Sequence, residues 1–423
     1  MLEEITSAGL GEKYYKYTHS SGVTVLLYPM KGYSTVTAQF SVKFGSIDNC
    51  YSIDGGAPVH IPDGTAHYLE HKLFEAPEKE AFARFAETGA SCNAGPSYDS
   101  TRYYFSCSEN FEKNLEILLD FVQHPYFTPE NVEKERGIIT QEITMYLDNP
   151  GWRVCMELYK GMFSRNPVQK DIAGSPESIA LITDKLLYDV YNAFYDPSNM
   201  YLCIAGGFDL ESAVEVCERC LLPRSAQNVV SIMEQEPPDV VSRRVQTAMP
   251  LGKTNFALGF KMPAYSGRDM TEEYIYHTLM NDTSVGASTE FYRTMRDKGL
   301  INETFESSIM MGRGFFIPGI YGESDEPDRV AGAVCAEYRR LKGCPPSEEA
   351  FLRAKKYLYG DSVRSYNNVE SVAQNLSDAA LTGTSAFDYA ELAAAADYEG
   401  MLKRLSGFDE NSCCLSVIVP TED

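Results

Sequence analysis

The most informative stretch of the chain is Gly64–Glu75, which reads GTAHYLEHKLFE. A helical pattern of apolar residues runs from Ala66 to Phe74 and predicts a buried helix. Residues four positions apart on a helix are separated by about 40° around its axis, so the imidazoles of His67 and His71 are predicted to point to one side. Glu70 lies between them in the sequence, and its carboxylate would reach the edge of the same place.

Two imidazoles and a carboxylate on one helical turn predict a zinc site. Neutral imidazole is a good ligand for Zn²⁺, and a catalytic zinc has three protein ligands and an open position for water. The order H-x-x-E-H is the inverted zinc-binding motif, in which Glu70 would be the general base. The alternative is a chance pairing on a surface helix, but the chain has only 6 histidines and the flanking residues are apolar.

A third ligand is expected from another helix, predicted over Pro129–Leu147. Glu135 and Glu142 lie seven residues apart in it, so they share a face but are separated by about 10 Å along the axis. Only one of them can readily bind a metal held by His67 and His71. The other would orient a histidine or support the site without contacting the metal. Spacing alone does not choose between them, and either could be an ordinary solvated glutamate.

Composition excludes several other classes of protein. With 423 residues, 44% of them hydrophobic, the chain is expected to form two or more compact units. The net charge of −23 disfavours nucleic acid as a partner and is compatible with a basic peptide substrate, although acidic proteins are common. No apolar run is long enough to span a membrane. Residues 1–17 do not resemble a secretory signal, and the 11 cysteines follow no framework, so a cytoplasmic protein with reduced thiols is predicted.

The chain is predicted to divide into residues 1–222, a linker over 223–240 and residues 241–423. Pro237 and Pro238 mark the linker because consecutive prolines stop a helix and stiffen a connection. Within the first part, Gly22–Ile47 is predicted to form a β-hairpin of two apolar strands.

The two parts of the sequence repeat a series of similar segments in the same order. QFSVKFGSI is followed by FARFAETGASCNA, PENVEKERGIITQEI and MYLCIAGGF; in the second part FALGFKMPA, FYRTMRDKGLINE, PSEEAFLRAKKYLYG and CCLSVIV follow one another. Each similarity is weak, but the shared order predicts a duplicated α+β unit.

Beyond these patterns, GTAHYLEHKLFE, TGASCNAGPSYDSTRYYFSC and ERGIITQEITMYLDNP together resemble the pitrilysin/insulinase family of zinc metallopeptidases. The resemblance covers most of the first part and continues more loosely through FYRTMRDKGLINETF. It implies two related α+β domains, each an antiparallel-rich sheet with helices packed on one face, which together make half of a clamshell. It also implies one Zn²⁺ per chain.

The resemblance assigns roles to individual residues. It implies His67, His71 and Glu142 as zinc ligands and Glu70 as the catalytic base, with Glu135 as the supporting carboxylate. Asn93 and Ala94 match the family's edge strand, to which an extended peptide adds as a further β-strand through backbone hydrogen bonds; Asn93 could instead be a turn residue.

The family also uses an arginine and a tyrosine to stabilise the oxyanion of the tetrahedral intermediate. Arg296 matches the arginine, but Asn302 stands where the tyrosine is expected. Because some members divide the zinc site and the arginine–tyrosine pair between two chains, the resemblance suggests a zinc-bearing subunit that acts with a related chain lacking the zinc motif; a homodimer is the other possibility.

The function implied is that of a zinc-dependent endopeptidase or processing-peptidase subunit acting on extended peptides. A non-proteolytic, zinc-bearing accessory subunit in a protein-modification pathway is the alternative. The likeness to a short bacterial branch of the family, associated with modification of elongation factor P, suggests that pathway.

Overall fold

The computed structural model describes residues 2–224 and 227–421, which fold into two compact units. Unit 1 consists of Met1–Ile143, Asp171–Met233 and Val363–Phe387, and unit 2 consists of Thr144–Lys170, Glu234–Ser362 and Asp388–Asp423. The prediction of two contiguous domains, residues 1–222 and 241–423, is therefore wrong, because each unit includes a segment from the other part of the chain.

Unit 1 is built on a seven-stranded sheet with the strand order β1-β2-β3-β9-β4-β8-β7. Its strands are β1 (Glu3–Ser7), β2 (Glu12–Thr18), β3 (Thr24–Pro29), β4 (Val36–Val42), β7 (Ser91–Pro96), β8 (Thr101–Cys107) and β9 (Met200–Gly206). Neighbouring strands are antiparallel except β3 and β9, which are parallel. A second, small sheet has the order β10-β5-β6 and contains β5 (Cys50–Ile53), β6 (Val59–His60) and β10 (Val229–Ser231).

The predicted hairpin over Gly22–Ile47 is wrong. Strands β3 and β4 form there, but β9 lies between them and pairs with both. Every residue of β9 is buried, as the centre of a sheet covered on both faces requires. Burial of the apolar strand β9 between β3 and β4 stabilises the fold more than direct pairing of β3 with β4 through their short connection would.

Helices cover the face of this sheet that holds the main apolar core of unit 1. They are α1 (Thr65–Leu73), α2 (Ala81–Thr88), α3 (Phe111–Gln123), α4 (Pro129–Leu147), α6 (Pro176–Ile179), α7 (Asp184–Phe194) and α8 (Leu210–Cys220). The last residues of α4 belong to unit 2.

The beginning of α1 is fixed by a close backbone approach. Gly64 precedes the helix with φ of 88°, and a Cβ at this position would lie 2.5 Å from the carbonyl oxygen of Ala173. Only glycine combines this left-handed backbone with such a narrow space. The Ser178 hydroxyl also donates to the Asp63 carbonyl (2.8 Å), so α1 starts at a defined point against the loop at 173–178.

The beginning of α4 is fixed by reciprocal capping and by a contact with α1. The Asn131 backbone N–H donates to the Thr128 hydroxyl (3.2 Å), and the Thr128 N–H donates to the Asn131 side chain (2.9 Å). The buried hydroxyl of Tyr68 on α1 donates to the carbonyl of Val132 on α4. The two helices are thereby held in a fixed register.

Unit 2 has a five-stranded sheet with the order β11-β15-β12-β14-β13. Its strands are β11 (Arg244–Met249), β12 (Asn255–Phe260), β13 (Glu306–Gly312), β14 (Phe315–Glu323) and β15 (Cys413–Pro420). Its helices are α5 (Pro150–Met162), α9 (Gly267–Ser284), α10 (Glu290–Asp297), α11 (Pro327–Gly343), α12 (Glu348–Ser365), α14 (Asp388–Ala395) and α15 (Tyr398–Ser406). The last residues of α12 belong to unit 1.

The sheet topology confirms the duplication predicted from the sequence. In unit 1 the order β3-β9-β4-β8-β7 has one parallel pair followed by three antiparallel pairs, and β11-β15-β12-β14-β13 repeats this pattern in unit 2. The similar sequence segments fall on corresponding elements, namely β4 and β12, α2 and α10, α4 and α12, and β9 and β15. The predicted fold class, two related α+β domains, is confirmed.

One helix of each unit comes from the other part of the chain. Helix α5 follows α4 in sequence but packs on β11, β12 and β15 of unit 2, whereas α13 (Val369–Thr382) follows α12 and packs on β3, β4 and β9 of unit 1. The apolar stripe of a helix shows that it must be buried but does not show which sheet it covers. This is why the sequence predicted contiguous domains.

The predicted linker at 223–240 is partly structured; its residues 225–226 lie outside the described residues. Val229–Ser231 pairs with β5 in unit 1. In unit 2, the Glu236 carboxylate accepts the backbone N–H groups of Ser164, Arg165 and Asn166 at 2.7–3.0 Å and the Lys261 ammonium at 2.8 Å. The described part of the connection is therefore anchored at both ends.

None of the helices in the described ranges is long and apolar enough to cross a membrane.

Candidate metal centre

Helix α1 places its two histidines side by side. The ring centroids of His67 and His71 are 4.6 Å apart, and the rings are inclined by 72°. His67 is buried and His71 is half-buried. The spacing of four residues on a helix thus brings both imidazoles to one place, as helical geometry requires.

Glu142 on α4 completes a group of three candidate metal-ligand atoms. One oxygen of its carboxylate, Oε2, lies 3.5 Å from Nε2 of His67 and 3.3 Å from Nε2 of His71. The three candidate ligand atoms all lie within 4.8 Å of one another. Ligand atoms at zinc distances of about 2.0–2.1 Å stand roughly 3.3 Å apart along the edge of a tetrahedron, so two of the three separations fit zinc closely.

Glu135, seven residues or about two helical turns earlier on α4, contacts His71 from the other side. Its Oε1 is 3.0 Å from His71 Nδ1, and because a carboxylate only accepts, Nδ1 donates the hydrogen bond. That hydrogen bond lowers the pKa of Glu135 more than burial raises it. The ionised carboxylate thus fixes the tautomer that leaves Nε2 facing Glu142.

The electrostatics of the group fit a cation. Burial by itself would lower the pKa of His71, but the Glu135 hydrogen bond and the charges of Glu70, Glu135 and Glu142 outweigh it, and the pKa is raised. When His71 is neutral, its Nε2 lone pair points at the Glu142 carboxylate 3.3 Å away. Two electron-rich atoms at this separation are stable only with a proton or a metal ion between them.

Glu70 borders the same place and is nearly enclosed. Its Oε2 lies 3.8 Å from His71 Nε2, and its side chain is 10% exposed. Burial raises the pKa of Glu70, partly opposed by the charges of His71 and His67. A carboxylate with a raised pKa beside a ligand group has the properties of a proton acceptor.

Lys72 was missed by the sequence reasoning, which treated the flanks of the motif as apolar. Its side chain is fully buried, and its ammonium lies 3.9 Å from Glu135. The signal that could have found it is a lysine inside a helix whose pattern otherwise predicts burial, since a buried ammonium requires partners.

No second group of this kind is found in residues 2–224 and 227–421: the His67, His71 and Glu142 set is the one cluster of three or more such side chains able to hold a metal. The sequence also contains His19, His60, His124 and His277, which the described structure places in no such cluster.

Comparison with known proteins gives a consistent result. Residues 52–175 match the model of the family "Insulinase (Peptidase family M16)", and residues 182–358 match that of the "Peptidase M16 inactive domain". The "Uncharacterized zinc protease YmfH" of Bacillus subtilis (strain 168) is 37% identical over 394 residues, covering 92% of both proteins. The chain belongs to peptidase family M16.

Two further proteins are similar to this chain over most of its length. The crystal structure of an M16-like peptidase from Alicyclobacillus acidocaldarius superimposes with a TM-score of 0.93 at 32% identity, covering 99% of both chains. The "Probable mitochondrial-processing peptidase subunit beta" of Arabidopsis thaliana is 23% identical and covers 88% of this chain and 74% of that protein.

In this M16 chain, Asn93 and Ala94 lie on β7, the edge strand of the unit 1 sheet. Among the described strands β7 pairs with β8 alone, and it packs beside α1. Asn93 is exposed, and its side-chain oxygen accepts from the Ala94 N–H at 2.9 Å. The strand therefore has a backbone edge near the helix that carries the histidines.

Arg296 and Asn302 both lie in unit 2. Arg296 is exposed in the last turn of α10, with its guanidinium 6.0 Å from the centre of the Tyr292 ring. Asn302 is engaged locally: its amide nitrogen donates to Glu323 at 2.9 Å, and its oxygen accepts from the Thr304 N–H at 2.9 Å. These bonds fix the Asn302 side chain within its own turn.

Proposed function

We propose that this chain is a zinc-dependent endopeptidase, or the zinc-bearing subunit of a processing peptidase, that hydrolyses extended peptides. The observation that carries the proposal is the convergence of His67 Nε2, His71 Nε2 and one Glu142 oxygen, with separations of 3.5 and 3.3 Å to that oxygen. Two imidazoles and one carboxylate are a ligand set of catalytic zinc sites, which leave a position open for water.

Each residue has a defined task in this proposal. His67, His71 and Glu142 hold one Zn²⁺, which when bound lowers the pKa of water and polarises a carbonyl. Glu70 takes the proton from the attacking water and passes it to the leaving amine, for which its raised pKa suits it. Glu135 keeps His71 in the ligating tautomer through the 3.0 Å hydrogen bond.

The substrate is proposed to bind as an extended strand along β7. The backbone of Asn93 and Ala94 lies on an edge of the sheet and can pair with a peptide without reading its sequence. A peptide or an unfolded protein segment is therefore the substrate class that suits the site.

A second chain is proposed to supply the oxyanion-stabilising pair. Asn302 stands where the tyrosine is expected and is held by Glu323 and Thr304, so it is not available to a substrate without breaking those bonds. Arg296 is exposed and is the candidate for the arginine in the alternative that this chain supplies that residue itself. We expect a homodimer or a heterodimer with a related chain, located in the cytoplasm.

A non-proteolytic, zinc-bearing accessory subunit is the second candidate, and the engaged Asn302 favours it. In that case zinc would stabilise the fold. The chain would then bind a partner from a protein-modification pathway of the elongation factor P type. The two candidates differ in whether the chain cleaves peptides when the related chain is present.

The deciding variant is Glu70→Gln, which removes the proposed base but keeps its size. We expect it to bind zinc as the wild type does while peptide cleavage falls by about 10²–10⁴-fold, the usual contribution of a general base. Glu78→Gln, at an exposed glutamate shortly after α1, is the matched control and should retain cleavage. The assay uses unstructured peptides and the chain alone or with its related chain; wild-type cleavage rates in Glu70→Gln would exclude the base assignment.

A further inference from the structure

Lys72 is a buried cation whose surroundings connect it to the metal centre. It follows His71 on α1, and its side chain is fully buried. An ammonium removed from water is costly unless charged or polar groups surround it. The ammonium donates to the Asn131 carbonyl at 3.0 Å and contacts Glu75 at 2.5 Å and Glu135 at 3.9 Å.

Glu135 is shared between Lys72 and His71 through its two oxygens. Oε1 accepts from His71 Nδ1 at 3.0 Å, while Oε2 faces the Lys72 ammonium at 3.9 Å. The longer distance excludes a hydrogen bond, so the attraction is between charges. With one oxygen facing each partner, the plane of the carboxylate is fixed relative to the imidazole.

We propose that Lys72 is a positioning residue for zinc: its ammonium holds the Glu135 carboxylate against His71 and so fixes the direction of His71 Nε2. This inference rests on the proposed zinc site, and it adds a residue that acts on the metal only through Glu135. The opposite charges of Lys72 and Glu135 thus lie in a row that ends at His71, a proposed zinc ligand.

A simpler role for Lys72 would be to join the two helices that provide the ligands. Its bond to the Asn131 carbonyl links α1 to α4, as the bond from Tyr68 to Val132 does one turn earlier. A helix link would affect zinc whether or not Glu135 is charged. A positioning role acts only while the Glu135 carboxylate is present, and this difference can be measured.

The test is a double-mutant cycle on zinc affinity, measured by competition with a chromophoric chelator on the metal-free full-length chain. Removing an outer carboxylate or its support lowers metal affinity by about 10–100-fold. We expect Glu135→Gln to lower zinc affinity by an amount within this range. Lys72→Met should lower zinc affinity by about tenfold. In the Glu135→Gln background, Lys72→Met should have no further effect, because coupled residues are not additive.

Tyr68→Phe is the matched control because it removes the other link between the helices and leaves the charges unchanged. Unchanged or tighter zinc binding by Lys72→Met, or the same weakening with and without Glu135, would overturn the positioning role. Failure of the wild type itself to bind zinc would instead overturn the proposed function.

A second variant covers the case in which Lys72→Met does not fold. Glu75→Gln leaves the ammonium in place but removes its closest counter-charge, and Lys72 remains beside Glu135. We expect zinc affinity close to that of the wild type. A loss as large as that caused by Glu135→Gln would show that the ammonium serves Glu75, which contradicts the proposal.

Discussion

Units 1 and 2 share an order of five strands and have corresponding helices, but among the described residues only unit 1 contains a candidate metal-ligand cluster. The buried positions of α4 align with those of α12 when Val132 is matched with Phe351 and Ile139 with Leu358. In this alignment Ala354 replaces Glu135 and Asp361 replaces Glu142. The duplicated fold thus provides the two helices, and a few side chains on them make the candidate metal centre of unit 1.

Two histidines, His71 in unit 1 and His277 in unit 2, show the same contrast. Because of its contacts with three carboxylates, above all the hydrogen bond with Glu135, the pKa of His71 is raised despite burial. His277, the single histidine of unit 2, is buried on α9, and burial, together with the charge of Arg404, lowers its pKa to about 4. The same residue type therefore lies among carboxylates in the candidate metal centre of unit 1 and is buried in unit 2.

The largest expected effect is on zinc affinity, and it should distinguish Glu142 in unit 1 from Asp361, its counterpart in unit 2. Glu142→Gln should lower zinc affinity by more than about 100-fold, because it removes a proposed ligand atom; the loss of an outer residue costs less than this. Asp361→Asn on α12 should leave zinc affinity unchanged. Competition with a chelator measures both, and an equal effect of the two substitutions would contradict the assignment of the site to unit 1.

The exchanged helix α5 is expected to contribute strongly to unit 2. Leu158 is fully buried over β12, where a Cβ on Gly259 would approach its Cδ2 to 2.9 Å. Leu158→Ala should lower the free energy of unfolding by about 2–5 kcal/mol through lost burial and a cavity. Chemical denaturation measures this, and Leu181→Ala, at a leucine that is 68% exposed, is the control. A loss no larger than the control's would show that α5 is not integral to unit 2.

The lowered pKa of His277 predicts a pH dependence of the free energy of unfolding that originates in unit 2. Its folded pKa of about 4 lies below the unfolded value, so neutral His277 stabilises the fold above about pH 6.5 and this contribution is lost as the pH falls towards 4. The loss should reach up to about 3 kcal/mol. His277→Gln should flatten this part of the profile, whereas His124→Gln, at an exposed histidine, should not. Identical profiles for wild type and His277→Gln would contradict the prediction.

The smallest effect is expected at α13, the exchanged helix of unit 1. Gln39 and Ser41 on β4 carry buried side-chain oxygens that have no hydrogen-bond partner among the described residues. Neither side chain belongs to the main apolar core of unit 1. The ion pair between Arg102 and Asp378 (2.7 Å) is half-exposed on the Asp378 side. Asp378→Asn should therefore cost only about 0–1 kcal/mol in global stability.

Hydrogen exchange sharpens this comparison of α13 with α5. A helix over a partly polar interface opens at lower free energy than one over an apolar interface. We expect the amides of α13 to exchange faster than those of α5, and faster still in Asp378→Asn. Slower exchange in α13 than in α5 would reverse the predicted order.

Sequence reasoning reached the local features of the site because they depend on helical periodicity. The spacing of His67 and His71 fixes their common direction, and the spacing of Glu135 and Glu142 leaves room for only one of them near both histidines. Which glutamate that is depends on the register of α4 against α1, set by Tyr68 and Val132, and this long-range contact is not visible in either helix alone.

The features that were missed depend on contacts between distant segments. Strand β9 enters between β3 and β4 from more than 150 residues later in the chain, and α5 and α13 each cover a sheet from the other part of the sequence. Lys72 was missed because its burial follows from Glu75, Asn131 and Glu135 closing around it. Local patterns indicate that a residue is buried but not what it meets.

X-ray absorption at the zinc edge of the zinc-loaded wild-type chain tests the central claim most directly. The site of His67, His71 and Glu142 predicts one zinc per chain with nitrogen and oxygen neighbours at about 2.0–2.1 Å and imidazole scattering from two rings. Sulfur neighbours at about 2.3 Å, or a metal content far below one per chain, would place zinc on cysteines or nowhere and would contradict the account.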